Sequence, residues 1–375
     1  MPLPEAQITR YQRWLHDTRG LQFDDYGALW RWSVDDLDAF WRSIWDYFDV
    51  RSPTPYRAVL DRAVMPGAKW FDGAQVNYAQ HLFSHADAAH AALGRLLEAD
   101  RLDAAHAAGH PAIVFADEAL LAAGTLRETP WPELRRQVAS CAAAFKRLGV
   151  QRGDRVCAVL PNVPETLVVF LACASLGAIW SVCSPDMGPV AVLDRFRQIE
   201  PKLLVACDGY RYGGVAHERG ALLRQLLAEL PSLQHVVLWR NLDVAADVQA
   251  LADASRAAHD LHALLAQDEV FTPEPLPFDH PMWIVYSSGT TGLPKPIVHG
   301  HGGVMLEALK LTVLHDDVGP SASGGDRFHW YSSTGWIMWN CQVGALLGGS
   351  TICIFDGSPA GPQGAADWST LWRFA

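Results

Sequence analysis

The spacing of apolar positions changes along the chain, and the change divides it. From Val34 to Phe48 (VDDLDAFWRSIWDYF) apolar residues recur at helical spacing behind aspartates, which predicts one amphipathic helix. Trp70 to Phe83 (WFDGAQVNYAQHLF) predicts a turn followed by a helix. From about His110 the texture alternates. Short strands are predicted at Ala112–Phe115, Arg155–Leu160, Ala178–Cys183, Leu203–Ala206, His235–Trp239 and Trp283–Tyr286. Between them lie helical patterns at Trp131–Leu148, Pro164–Gly177, Pro189–Ile199 and Leu222–Leu230. Such alternation implies an α/β class, with mostly parallel strands joined by right-handed crossovers and flanked by helices. Gln249 to Leu265 reads as an Ala-rich surface helix, and Thr272 to Pro281, with four prolines, as a linker.

Thr166 to Ser184 carries no charge and is nearly long enough to span a bilayer. Pro164 and Glu165 start a helix there and Gly177 stops it, so the stretch divides into a buried helix and a buried strand. Half the chain is apolar and 19% is charged, the profile of a folded protein with a sizeable core. The formal net charge of −11 argues against general binding to nucleic acid or to an anionic membrane. The seven cysteines form no C-x-x-C pair and read as reduced core thiols of a cytosolic protein rather than a metal site. MPLPEAQITRYQRW contains no apolar signal segment.

The chemistry concentrates in WIVYSSGTTGLPKPIVHGHGG, Trp283 to Gly303. A buried strand runs into Ser287, Ser288, Gly289, Thr290, Thr291 and Gly292, and Lys295 follows. Glycine lets backbone N–H groups turn inward on a phosphate, the hydroxyls add donors, and the lysine adds a point charge. The Walker A motif needs its lysine at the start of a helix. Here Pro294 and Pro296 flank Lys295 and prevent one.

YSSGTTGLPKP, Tyr286 to Pro296, resembles the signature loop of adenylate-forming enzymes: acyl-CoA synthetases, luciferases and peptide-synthetase adenylation domains. IVHGHGGVMLEALK (Ile297–Lys310) and GDRFHWYSSTGWIMWN (Gly325–Asn340) narrow the resemblance toward the acetoacetyl-CoA synthetases. WFDGAQVNYAQHLF is similar to the cap region of short-chain synthetases. The resemblance implies the N-terminal part of the adenylate-forming fold. Residues 1–100 would form a helical cap and 101–375 a partial adenylation domain. It further implies two half-reactions: a carboxylate attacks the α-phosphorus of Mg-ATP to give an acyl-adenylate and pyrophosphate, and the CoA thiol then displaces AMP.

By the same resemblance, Ser287 to Gly292 and Lys295 hold the β- and γ-phosphates in a loop that closes on ATP, with Thr290 and Lys295 catalytic. Ser333, Gly335, Trp336, Ile337 and Met338 line the acyl pocket. The ketone of acetoacetate would find a donor in Ser332, Ser333, Trp339 or Asn340. Arg211, and less so Arg219, would meet the CoA phosphates. His299 and His301 would position backbone near substrate or nucleotide, and Asp326–Arg327 would form an edge ion pair. The partners implied are ATP with Mg2+, CoA and acetoacetate, with no metal ligand on the chain itself.

Complete members also carry an adenine-stacking motif, a ribose-binding aspartate and a small mobile domain with a late lysine. No lysine follows Lys310. The chain is therefore expected to be C-terminally truncated, completed by another chain or not at all. The alternatives are a non-catalytic remnant and a fragment of an acetyl- or propionyl-CoA synthetase.

Overall fold

Seven strands form the larger sheet of the computed structural model, which describes residues 5–84, 110–287, 292–320 and 326–375. Their order is Ala257–Asp260, His235–Trp239, Leu203–Cys207, Arg155–Val159, Ile179–Cys183, Pro281–Ser287 and Lys295–Gly300. The first six run parallel and the last is antiparallel. The order reverses at Arg155–Val159. The chain leaves this strand for one neighbour, Ile179–Cys183, and returns on its other side as Leu203–Cys207. A second sheet has the order Arg327–His329, Thr351–Asp356, Pro111–Asp117 and Arg127–Pro130, the last strand antiparallel. The α/β class with mostly parallel strands therefore holds.

The helix Pro164–Leu176, which follows the central strand Arg155–Val159, is buried at every residue except Glu165. That burial explains the charge-free stretch, since a helix packed on all sides has no polar face. Phe170 sits at its centre, within 6.3 Å (ring centroids) of Tyr78, Trp180, Trp283 and Trp339. Gly177 closes the helix at φ 69°, and a Cβ there would stand 2.7 Å from Leu276. Among the described residues no helix is long and apolar enough to cross a membrane.

Most of the predicted helix Val34–Phe48 is the helix Leu37–Tyr47, while its first two residues end a separate helix, Tyr26–Asp35. Asp36 divides the two because its carboxylate accepts the Ala39 N–H at 3.0 Å and starts the second helix. Trp45 stacks on Phe71 at 4.7 Å, and Phe71 meets Phe278 at 4.9 Å, which ties the second helix to the segment just before the strand Pro281–Ser287.

Gln249–Leu265 is not a helix. Val248–Leu251 is a single 3-10 turn, Ala257–Asp260 is the sheet's outer strand, and only Leu261–Leu265 is helical. Pairing with His235–Trp239 overrides the helix propensity of alanine there. The linker Thr272–Pro281 contains a short strand, Leu276–Pro277, paired with Gln75–Val76. Asp326 and Arg327 form no ion pair; Asp326 instead accepts the Gly319 N–H at 3.0 Å.

Candidate functional site

In a doubly wound sheet the crevice beyond the carboxyl ends of the strands, where strand order reverses, collects ligands. A cavity of about 410 Å³ occupies that position. Asn162 enters it from beyond Arg155–Val159, and Ser184 and Asp186 from beyond Ile179–Cys183. Asp356 ends the strand Thr351–Asp356 of the second sheet and lines the same cavity. Tyr331 to Thr334 form another wall. A hairpin of Gly209–Tyr212 and Val215–Glu218 supplies Tyr210, Tyr212 and His217. A larger cavity of about 470 Å³, around Asn77, His81 and Arg135, involves none of these strand ends.

The walls are tied by directed hydrogen bonds. Thr334 donates its hydroxyl to the Leu160 carbonyl at 2.6 Å, and Tyr331 donates to the Gly357 carbonyl at 2.9 Å. The Trp339 indole donates to Asn162 Oδ1 at 3.1 Å. An indole N–H can only donate, so the Asn162 amide NH2 points the other way, buried and without a partner among the described residues. Gly335 presses its backbone on Ser184; a Cβ would come within 3.2 Å of the Ser184 nitrogen. Arg219 donates to the Pro185 carbonyl and, at 2.9 Å, to the Tyr210 hydroxyl, with its guanidinium 4.9 Å over that ring.

Asp356 is the electrostatic outlier. Burial pushes its carboxyl up to about 7, and the nearby carboxylates of Asp117, Glu118 and Asp186 add to the shift against one opposing hydrogen bond from the Asn162 backbone. Such a group is costly for the fold, and clefts are where such costs are kept.

The strand Pro281–Ser287 runs parallel to Ile179–Cys183, so its carboxyl end delivers Ser287 to the same side of the sheet as the cavity. Lys295 pairs with Ser287 in register on the returning strand and is exposed. Tyr286 donates its hydroxyl to the Arg195 carbonyl at 3.1 Å, and Gln198 donates to the Pro294 carbonyl at 2.9 Å. Both ends of the loop are thus anchored to the region of the helix Pro189–Phe196. Gly292 takes φ 146°, open only to glycine at low cost. Ser288, Gly289, Thr290 and Thr291 lie outside the described residues.

Of the acyl-pocket residues, Ser333 lines the main cavity, and Gly335 lines a narrow slot beside it with Tyr286, Thr334 and Asn340. Trp336, Ile337 and Met338 are not gathered there. Trp336 is 68% exposed and Ile337 45%, because the helix Ile337–Gly344 turns Trp339, Asn340 and Val343 inward instead. Arg211 points to the other side of the hairpin from its tyrosine neighbours. It lines a second cavity of about 320 Å³ with Arg127, Trp239 and Asp356.

His301 lies in the core. It is fully buried, and its Nδ1 accepts the Tyr78 N–H at 3.2 Å. Burial drives its pKa down to about 3, with a further push from His280. His299 lies against the Trp283 ring. Among the described residues no group of three His, Cys, Asp or Glu side chains could hold a metal ion. Asn162, Asp186, Tyr210, Tyr212, His217 and Asp356 were not legible as site residues: the first two follow the strands between which the order reverses, the next three sit on a hairpin, and Asp356 comes from the second sheet, so only the packed fold brings them together.

Sheet order and crevice together define an α/β domain with a ligand-sized crevice at its strand ends. The chain belongs to the AMP-binding enzymes, whose family model matches residues 101–374, and residues 26–82 match the acetyl-coenzyme A synthetase N-terminus. It is 35% identical over 374 residues to an acetoacetyl-coenzyme A synthetase of Rhizobium meliloti (strain 1021), covering 99% of this chain and 52% of that one. A malonamoyl-CoA synthetase of Penicillium aethiopicum is 33% identical, over 94% of this chain and 47% of its own length. An acetoacetyl-CoA synthetase structure from Streptomyces lividans superposes with TM-score 0.85 at 44% identity, over 99% of this chain and 52% of that one. The chain thus spans about half the length of the relatives it matches.

Proposed function

We propose that this chain forms the phosphate- and acid-binding part of an ATP-dependent acid–thiol ligase that converts acetoacetate to acetoacetyl-CoA through an acyl-adenylate. The observation that carries the reading is topological: the strand leading into the Ser/Thr/Gly loop ends on the same side of the sheet as the cavity at the reversal point. In this reading Ser287 to Gly292 and Lys295 neutralise the β- and γ-phosphates while a carboxylate attacks the α-phosphorus. The difficulty of that step is an anion approaching a polyanion, so positioned donors and one cation supply most of what the chain can contribute. Magnesium enters with the nucleotide, and no step is assigned to a protein-bound ion. CoA approaches past the Tyr210–His217 hairpin, with Arg211 as its phosphate contact. Residues 1–100 act as a cap on the adenylation domain, and the other half of the relatives' length, joined or separate, supplies further walls of the site.

The acid fits one further feature. Acetoacetyl and malonamoyl groups share a second carbonyl one methylene beyond the acyl carbon. Asn340, a buried residue, lines the slot beside Gly335, and its side-chain amide is our choice of donor to that carbonyl. Calorimetric titration with Mg-ATP tests the first part, with binding expected in the micromolar to millimolar range, about −8 to −4 kcal/mol. Pyrophosphate exchange with acetoacetate, malonamate, acetate and propionate tests the second, using this chain alone and with the remaining half of the Streptomyces lividans relative added. No ATP binding, or equal exchange with acetate, would refute the respective part.

A further inference from the structure

Glu118 does something no part of the proposed reaction requires of it. Its carboxylate accepts three backbone N–H groups: Gly213 and Ser358 on Oε1 at 2.6 and 2.7 Å, and Gly214 on Oε2 at 2.6 Å. Gly213 and Gly214 form the tip of the Gly209–Glu218 hairpin, at φ 60° and 79°. Consecutive left-handed residues turn successive N–H groups to one side and make a small anion-binding nest. Here the nest is filled by the protein's own carboxylate. Ser358 belongs to the loop after Thr351–Asp356, in the other sheet. Glu118 itself begins the helix that follows Pro111–Asp117. One carboxylate therefore joins the hairpin, which grows from the end of the larger sheet, to two segments of the smaller one.

The fit is close on every side. A Cβ on Gly357 would stand 2.4 Å from Glu118 Cγ, so the side chain lies flat on that backbone. The Gln363 N–H donates to the Gly213 carbonyl at 2.8 Å and holds the tip from its far side. The hairpin separates the two cavities at the strand ends. Tyr210, Tyr212 and His217 face the 410 Å³ cavity, and Arg211 faces the 320 Å³ one. Glu118 itself lines the 320 Å³ cavity.

We propose that Glu118 is a positioning residue that clamps the Gly209–Glu218 hairpin against the second sheet and so holds Arg211 and the tyrosines in place for a phosphate-bearing ligand. The ligand half of this statement rests on the function proposed above; the clamp itself does not. Glutamine cannot replace the carboxylate. Its oxygen can take the Gly213 and Ser358 protons, but its NH2 then faces the Gly214 N–H donor to donor. Aspartate keeps the charge but is one methylene short.

The test compares the wild-type chain with Glu118→Gln, Glu118→Ala and Glu118→Asp, and with Glu133→Gln as a distant surface control. Amide hydrogen exchange is followed at Gly213, Gly214 and Ser358, and CoA and Mg-ATP dissociation constants are measured well below each variant's unfolding temperature. In Glu118→Gln and Glu118→Ala, exchange at those three amides should rise at least about tenfold while the Arg155–Val159 and Leu203–Cys207 amides keep their protection, and CoA binding should weaken by about tenfold, the weight of one charge-assisted hydrogen bond. Glu118→Asp should recover part of both changes. Continued protection of the three amides in Glu118→Ala overturns the clamp. Faster exchange with unchanged CoA affinity overturns the positioning role. Failure of the wild-type chain to bind CoA or ATP counts against the proposed function instead, and the exchange pattern then decides the clamp alone.

Discussion

The centre of the molecule and its strand-end crevice treat polar groups in opposite ways. Around Phe170, aromatic rings interlock and the titratable group, His301, is held neutral by burial. At the strand ends, four carboxylates (Asp117, Glu118, Asp186 and Asp356) drawn from both sheets stand near one another, one of them shifted upward. The centre lowers the free energy of the fold. The crevice raises it and retains the cost, as binding sites do when their groups are arranged for a ligand. Four measurements would break or sharpen this division.

The largest effect belongs to the centre. Phe170→Ala empties space between Tyr78, Trp180, Trp283 and Trp339, all on elements too regular to collapse inward. The expected loss is about 3–5 kcal/mol in urea unfolding. A loss below about 1 kcal/mol would mean that the centre is loosely packed.

Next is Lys295→Ala. Lys295 is exposed on the sheet's edge strand, whose Ile297 and Val298 are also exposed, so stability should change by less than about 0.5 kcal/mol. If the loop holds phosphates, ATP affinity should fall about 10- to 100-fold in titration calorimetry, or about 1.4–2.8 kcal/mol. Lost stability with unchanged affinity would assign Lys295 to the framework and remove the distinction.

The same division governs how far the sequence could be read. Strands such as His235–Trp239 and helices such as Pro164–Leu176 were legible because burial on both faces leaves continuous apolar runs between Pro and Gly signals. The Ser/Thr/Gly loop was legible as a local motif. Two kinds of feature were not. Ala257–Asp260 becomes a strand only through its neighbour in the sheet, which alanine content cannot announce. Asn162 and Asp186 flank the point where the strand order reverses, and Asp356 joins them only because the second sheet packs beside the first, so residues roughly two hundred apart in sequence share one cavity. Trp336, Ile337 and Met338 show the converse: a motif indicated a pocket, while their exposure was set by which face of the helix Ile337–Gly344 packs inward.

A third measurement probes the centre by pH. His301 has a folded pKa of about 3 against 6.5 unfolded, so the unfolded chain binds the proton more readily between those values. Its contribution is full above about pH 6.5 and falls as the pH drops toward 3, by up to about 1.4 kcal/mol per pH unit. His301→Asn can keep an acceptor for the Tyr78 N–H and cannot be protonated. Between pH 7 and pH 5 the wild-type chain should therefore lose about 2 kcal/mol more than the variant in urea unfolding. Parallel pH profiles would show that His301 takes up its proton without cost, contrary to its burial.

Asp356 should behave with the opposite sign. Its folded pKa, about 7, lies above the unfolded value of 3.8, so the native state is the better proton acceptor between them. The stability tied to its protonated form is complete below about pH 3.8 and is lost as the pH rises to 7. Asp356→Asn removes that loss, and its amide oxygen can still accept the Asn162 backbone N–H. The variant should match the wild-type chain near pH 4 and exceed it at pH 8. The two pKa values set an upper bound of about 4 kcal/mol, and the gain should be about 1 kcal/mol because the side chain still reaches solvent through the two cavities. The functional reading adds a second requirement: ligand affinity or exchange rate at pH 8 should change while stability improves. A gain in stability with no change in binding would make Asp356 a tolerated flaw of the framework. A loss of stability at pH 8 would mean that the carboxylates of the crevice are mutually accommodated like any surface cluster, and the contrast with the centre would rest on packing alone.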